Sequence, residues 1–278
     1  MQSWKLLPQI ASVAKYVECY WFLEKEPHDQ SHSFPKLNPD PSCHLILTND
    51  NQLYHYTHEG RTQVVDRHHL IFPHLKTFTM DHSAPFKIIG IKFKTGAPYS
   101  FKLADPAKYL DKVEPVEISQ LFTSASFNTE QLFSIDLGQK ETVSSILDEV
   151  LSAWILTWRE DKHSELVGQI VPLLSHTAIA KIGGKLHRSQ RTIERSFMKV
   201  TGFSMKQVHS MNRLEELLNY LYKVDATDIN WADVANKYGF SDQPHLIRHL
   251  KNSIGNTPAL YAKRRDLTID IYGNFAIN

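Results

Sequence analysis

A chain of 278 residues, 42% hydrophobic and 22% charged, predicts two domains, each able to bury a core, and excludes global disorder. No run approaches the roughly 18 consecutive apolar residues of a membrane-spanning helix, and the opening MQSWKLLPQI lacks the basic start and apolar stretch of a signal peptide, so the expected location is the cytoplasm, with Cys19 and Cys43 as free thiols. The net charge of +1 hides an asymmetry: residues 176–265 carry fifteen Lys and Arg against seven Asp and Glu, a net of +8, which leaves −7 on the remainder.

To about Leu121 the pattern is β. The runs Cys43–Thr48, Gln52–His58, His69–Pro73, Lys76–Met80 and Lys87–Phe93 are short and apolar or alternating. Turn signals separate them, among them Asn49-Asp50-Asn51, Glu59-Gly60 and Ser83-Ala84-Pro85. Regular spacing of short strands predicts a β-rich barrel or sandwich, cupin-like, over residues 1–140.

After Asp136 the period changes. Val143, Leu147, Val150, Trp154 and Trp158 recur at three and four, which predicts an amphipathic helix from Glu141 to Trp158. Its stripe suits either an intradomain core or a homodimer contact through 141–158. The charged run Arg159–His163 closes this connecting segment (141–162). Residues 163–265 then read as helical throughout, and 266–278 as an unassigned tail.

Two stretches in the helical part repeat at an offset of 52 or 53 residues. In the second, Asn230 caps a helix, with Asp233 in its first turn and Ile229 able to staple to Val234. That helix stops at Gly239, which supplies the left-handed residue a tight corner needs. Phe240 turns inward, Ser241 or Asp242 caps the next helix, and Pro244 sits in its first turn, where a missing N–H costs nothing. The helix runs to about Ile254 and ends at Gly255. In the first copy His187 stands at the corner, a residue type that tolerates positive φ. Ser189 caps a helix from Gln190 to Val200 that ends before Gly202. Ser204 and Gln207 form a capping box that opens a long connecting helix with an apolar stripe of Val208, Met211, Leu214, Leu218 and Leu221. Two helices joined by a short Gly-type turn make a helix-turn-helix, and here there are two.

This arrangement resembles the DNA-binding domain of AraC/XylS-family transcriptional regulators. The resemblance rests on Ser189, Arg191, Ile193, Arg195, Phe197, Gly202, Ser204 and Arg213-Leu214, then on Gly239-Phe240, Asp242, His245, Arg248, Lys251, Gly255, Pro258 and Tyr261. Departures from the family pattern are Met205 for Pro, His187 for Gly, Gly183-Gly184 for Ala, Leu246 and Leu250 for Phe, and Pro244 for Ser. NPDPSCHLIL, IFPHLKTF and IIGIKFKTGAPYSF resemble, less specifically, the β-rich domain that precedes such modules in one poorly characterised branch of that family. The resemblance implies a regulator that binds double-stranded DNA, acts as an activator through RNA polymerase, and carries a sensor domain for a small-molecule effector or a protein partner. It implies no cofactor.

A recognition helix reads base edges from its exposed first turns. In the first unit Ile193 and Phe197 face inward, leaving Gln190, Arg191, Thr192, Glu194 and Arg195 for the groove. Arg191 and Arg195 can fork onto guanine, Gln190 onto adenine, and Glu194 can accept from cytosine or pair with a neighbouring Arg. In the second unit the candidates are Gln243, Pro244, His245 and Arg248, with His245 equally able to fold back on the helix start. Ser189, Lys199, Lys206, Ser241 and Lys251 are the phosphate candidates.

Nine of the fifteen histidines precede residue 83, which raises the alternative of a metal-dependent cupin-type enzyme with an accessory DNA-binding domain. The spacing disfavours it. His55 and His58 lie three apart on a predicted strand and leave opposite faces. No zinc-type Cys pattern, phosphate loop or nucleophile elbow is present. Cys43, in an apolar strand, is expected to be buried and inert.

Overall fold

A computed structural model describes residues 2–29, 33–48, 52–101, 106–122, 127–135 and 139–263. The turn at Asn49-Asp50-Asn51, His32 and the tail 266–278 lie outside the described residues.

The first domain has ten described strands: β1 (Gln2–Leu6), β2 (Val17–Lys25), β3 (Lys36–Leu37), β4 (Cys43–Thr48), β5 (Tyr54–His58), β6 (Arg61–Val65), β7 (His69–Ile71), β8 (Phe78–Met80), β9 (Phe86–Phe93) and β10 (Val113–Pro115). Short helices α1 (Ala11–Ala14), α2 (Ala97–Ser100), α3 (Pro106–Tyr109), α4 (Ile118–Leu121) and α5 (Thr129–Ser134) connect them to α6 (Lys140–Ile155). Six strands form one antiparallel sheet in the order β1-β2-β9-β4-β7-β10, and four form a second in the order β3-β8-β5-β6. The two sheets stack as a sandwich and do not close into a barrel.

The larger sheet is covered on both faces. On one side Tyr20, Phe22, Leu45, Leu47, Ile89 and Ile91 pack against Leu147, Leu151 and Trp154 of α6. On the other, Cys19, Trp21, Leu23, Ile46 and Ile88 meet Tyr54, Tyr56, Phe78 and Met80 of the smaller sheet. A strand buried on two faces has no polar side to show, which is why β4 reads as the unbroken run CHLILT and β2 contains CYWFL. The same alternation sends Cys19 and Cys43 to opposite faces of the sheet, and both are buried free thiols. Burial pushes each thiol above its usual range.

The stripe on α6 serves as an intradomain seam: Val143, Leu147, Leu151, Trp154 and Ile155 are covered by the domain's own sheet. Asp148, buried on the same helix, fixes the register. It accepts hydrogen bonds from Gln9 N (2.7 Å), Ile10 N (3.1 Å) and Tyr20 Oη (2.6 Å), and so ties the start of α1 and strand β2 to α6.

The second domain is α7 (Lys162–Ile170), α8 (Ile179–Lys185), α9 (Gln190–Thr201), α10 (Met205–Lys223), α11 (Trp231–Lys237), α12 (Gln243–Ile254) and α13 (Pro258–Lys263). The charged run that reads as a joint contains the start of α7: Asp161 accepts from His163 N and Ser164 N, and Ser164 Oγ accepts from Asp161 N, a reciprocal capping box. Each helix-turn-helix has its own core. Ile182, Ile193, Phe197 and Val208 pack together in the first, and Leu218, Val234, Phe240, Leu246 and Leu250 in the second, with α10 contributing to both.

Two outcomes follow from this packing. Gly90 on β9 lies against the buried Trp21 ring, where an added Cβ would stand 1.9 Å from Trp21 Cε2. Gly90→Ala is expected to lower stability by at least the ~1–3 kcal/mol typical of overpacking, read as a fall in the urea midpoint. The second outcome concerns His69, which is fully buried and whose basicity burial pulls from 6.5 down to about 4. The unfolded chain takes up a proton there near pH 6.5 and the native state only near pH 4. Stability is thus fully present above pH 6.5 and falls by about 3 kcal/mol between pH 6.5 and 4. Urea unfolding across that window should show this loss in the wild type and a slope shallower by one proton in His69→Gln.

Candidate nucleic-acid interface

Both candidate reading helices are built in the same way. A left-handed residue turns the corner, a side-chain cap starts the helix, twelve residues follow, and a left-handed glycine ends it. In the first unit the corner is His187 (φ 52°), the cap is Ser189, whose Oγ accepts from Thr192 N (3.2 Å), and the end is Gly202 (φ 76°). In the second unit the corner is Gly239 (φ 70°), the cap is Asp242, whose carboxylate accepts from His245 N (2.7 Å), and the end is Gly255 (φ 70°). The capping box of Ser204 and Gln207 is formed and starts α10. The 19 residues of α10 fix the separation of the two units.

The predicted base-reading residues divide into two groups. Arg191 and Arg195 on α9, and Gln243, Pro244 and Arg248 on α12, are exposed, while Ile193, Phe197, Leu246 and Leu250 behind them are fully buried. The others are already engaged. Gln190 Nε2 donates to Glu194 Oε1 across one helical turn (2.8 Å), and Thr192 Oγ1 lies 2.8 Å from Ser189 Oγ. His245 folds back: its Nδ1 accepts from Ser241 N (3.3 Å) and lies 3.2 Å from Ser241 Oγ, and its ring meets Phe240 edge-on. It braces the corner of the second unit.

Among the phosphate candidates, Lys206 is exposed on the first turn of α10 and Ser241 is exposed beside the cap of α12. Lys199 stands elsewhere. It occupies the last turn of α9, 3.8 Å from Asp161 and over the Tyr99 ring, because that end of the helix faces the β domain. Lys251 shares the last turn of α12, also at a docked end.

Further residues beyond the predicted contact set shape this surface. Arg188, exposed immediately before the Ser189 cap, adds a cation at the reading end of α9. Arg213 on α10 lies 4.3 Å from the centre of the Phe240 ring and donates to Gly239 O (3.1 Å), so it holds the second corner in place. His249 on α12 packs on the same ring, and burial, with Arg213 nearby, lowers it to about 4, so it is neutral at physiological pH and adds no charge to this face.

The reading helices are also tied to the contact between the domains. Lys92 on β9, only 2% exposed, is surrounded by Glu18 (3.3 Å), Asp40 (3.4 Å) and Glu215 of α10 (3.9 Å). Burial alone would lower its basicity, but the three carboxylates hold it well above the ordinary lysine range. Against the same burial, Lys92 and His44 keep Asp40 well below the usual carboxylate range. Further along the seam Lys36 Nζ donates to Ile254 O (2.6 Å) and Thr77 Oγ1 donates to Ser253 O, so the C-terminal end of α12 rests on the β domain. The clustered histidines of that domain serve its own hydrogen bonding. His69 pairs with Tyr56 Oη (2.7 Å), His74 bridges the Phe72 and Asn38 carbonyls, and His58 meets Thr77 O. No group of three side chains able to hold a metal ion occurs among the described residues.

Residues 182–264 match a helix-turn-helix domain family, and residues 7–115 match a domain family of unknown function (DUF6597). No curated protein matches the chain. Among solved structures the chain is similar to ToxT from Vibrio cholerae, at 10% identity over 88% of this chain and 97% of that one with a TM-score of 0.44. It is similar to ToxT bound to (E)-4-(8-methylnaphthalen-1-yl)but-3-enoic acid at 11% identity, over 89% and 98% of the two chains, TM-score 0.45. The AraC-like transcriptional activator CuxR follows at 10% identity, over 77% and 86%, TM-score 0.28.

The second unit depends on one carboxylate at its start. Asp242→Ala leaves the His245 amide without its cap and is expected to lower stability by about 1 kcal/mol, measurable as a fall in the thermal midpoint, whereas Asp242→Asn should keep most of it.

Proposed function

We propose that this chain, with its C-terminal helix-turn-helix domain, is a sequence-specific transcriptional regulator of the AraC type that reads two successive major grooves with α9 and α12. The supporting observation is the shared construction of the two helices. Each has a left-handed corner, a capped first turn, an apolar back sealed in its own core and exposed arginine in the first two turns: Arg191 and Arg195 on α9, Arg248 on α12. Such a helix offers its N-terminal turns to base edges while its apolar stripe fixes its tilt. Two of them on one face span about 17–20 bp, with box centres one helical turn apart.

Arg191, Arg195 and Arg248 then carry direct readout, with Arg188, Lys206 and Ser241 at phosphates. Gln190 and Glu194 form a pair that contributes only if DNA opens it. The β domain acts as the controlling part, through an effector or partner that shifts the population in which both helices engage together. Activation through RNA polymerase is the mode that the family resemblance favours.

Binding to genomic fragments, followed by single substitution, tests this. Arg195→Ala and Arg248→Ala should each weaken binding to the selected site by about 1–3 kcal/mol and relax preference at one base position. Loss that is equal on every sequence would reduce these arginines to backbone contacts and remove the assignment.

A further inference from the structure

Helix α10 buries Val208, Met211, Leu214, Leu218 and Leu221 in the cores of the two units and turns a second, polar face outward. On that face His209, Asn212, Glu216, Tyr220 and Lys223 recur at three and four, one side of a helix, and floor a cleft of about 790 Å³. Ser175, on the segment that leads into α8, bounds it at the first unit, and Lys237, Tyr238 and Gly239 bound it at the corner of the second. The lining residues all belong to the DNA-binding domain.

The cleft borders the corner that starts α12, not the C-terminal end that rests on the β domain. It therefore lies between the two helices proposed to enter successive major grooves. On a duplex read from one side in this way, a minor groove with a phosphate backbone along each edge faces the protein between the two major grooves. From His209 to Lys223 the polar face runs about 21 Å, enough to cross a minor groove about 6 Å wide and reach both edges.

The chemistry of the cleft suits a polyanion. Arg213, Lys223 and Lys237 stand against Glu216, the one carboxylate in the lining, a net of +2 with His209 neutral. Lys223 and Lys237 are exposed, and among the described residues neither has a carboxylate within ion-pair distance. Lys237 Nζ lies over the rings of Tyr220 (4.5 Å) and Tyr238 (5.5 Å), which hold it at the wall. The floor is polar to its base: Asn219 Oδ1, shielded from solvent, has no hydrogen-bond partner among the described residues. An apolar ligand or helix seated there would bury that oxygen at a cost.

We propose that this cleft is a third DNA contact, which receives the sugar–phosphate backbones bordering the minor groove between the two boxes. Lys223 and Lys237 meet phosphates, and the Tyr220 hydroxyl and Asn212 amide serve as uncharged donors. The inference rests on the regulator reading above and adds to it a contact that reads no bases. Its effect is to fix the register of the two reading helices on one duplex and to hold the protein on any sequence.

Salt titration of DNA binding by the full chain tests the contact, on a random duplex and on the selected site. Lys223→Gln combined with Lys237→Gln should lower the slope of log affinity against log salt by about 2, one for each lysine, and weaken both duplexes alike by about tenfold. Glu216→Gln, which removes the opposing charge, should tighten both by about threefold. All three side chains are exposed, so the fold is kept. Neutral methylphosphonates in place of the phosphates between the two boxes should cost the wild type about fivefold or more, and the double variant about twofold or less. An unchanged slope in the double variant overturns the backbone assignment and leaves the cleft to an acidic protein surface. A Glu216→Gln chain no tighter than wild type, or an equal methylphosphonate loss in both proteins, overturns it as well. A slope that falls on the random duplex, in a chain that enriches no sequence, sinks the function proposed above and leaves the cleft standing as a backbone contact.

Discussion

The arrangement of this molecule depends on one buried ammonium. Lys92 lies at the domain boundary with almost no exposure, and its charge is balanced by Glu18 and Asp40 from the β domain and by Glu215 from α10. A lysine in that position is tolerable only while its carboxylates stay in place, since removing one partner of a buried pair typically costs about 3–5 kcal/mol. Two of the three come from its own domain and the third does not. The electrostatics of the β core is therefore incomplete unless the DNA-binding domain is docked.

Around that charge the two helix-turn-helix units are held by different means. The first meets the β domain at α7 and the end of α9: Tyr99 Oη donates to Asp161 (2.9 Å), and Gly96 packs on Val200 and Val167. The second is held at the tail of its reading helix, where Lys36 and Thr77 donate to carbonyls of α12 that have no partner within the helix. Burial lowers the basicity of Lys36, a cost accepted for that contact. Both reading helices thus rest on the β domain by their C-terminal ends and leave their N-terminal turns outward.

The layering of the first domain serves the same end. Helix α6 covers one face of the larger sheet and the smaller sheet covers the other, so β9, which carries Lys92, is a central strand with little freedom to shift. A central strand is a firm support for a charge that three carboxylates must share.

The sequence by itself determined the local chemistry of the helical third: the caps at Ser189, Ser204 and Asn230, a cap at Ser241 or Asp242 that the structure assigns to Asp242, the corners at His187 and Gly239, the ends at Gly202 and Gly255, and the inward and outward faces of α9 and α12. These are set within four or five residues, by backbone hydrogen bonds that need a nearby side chain and by φ values that few residues tolerate. It also placed β4 and β9 within a residue, since their apolar runs are long and bounded by turns. Strand β2 was not picked out from the sequence, although its apolar run is as strong as that of β4. Only the tertiary structure decided that the stripe on α6 is an intradomain seam, that His245 and Gln190 are already engaged, that Lys199 faces the β domain, and that Lys92 waits on Glu215 from 123 positions away. A stripe or a charge in sequence states that it must be covered or paired; what covers or pairs it is fixed by which distant segment the fold brings there.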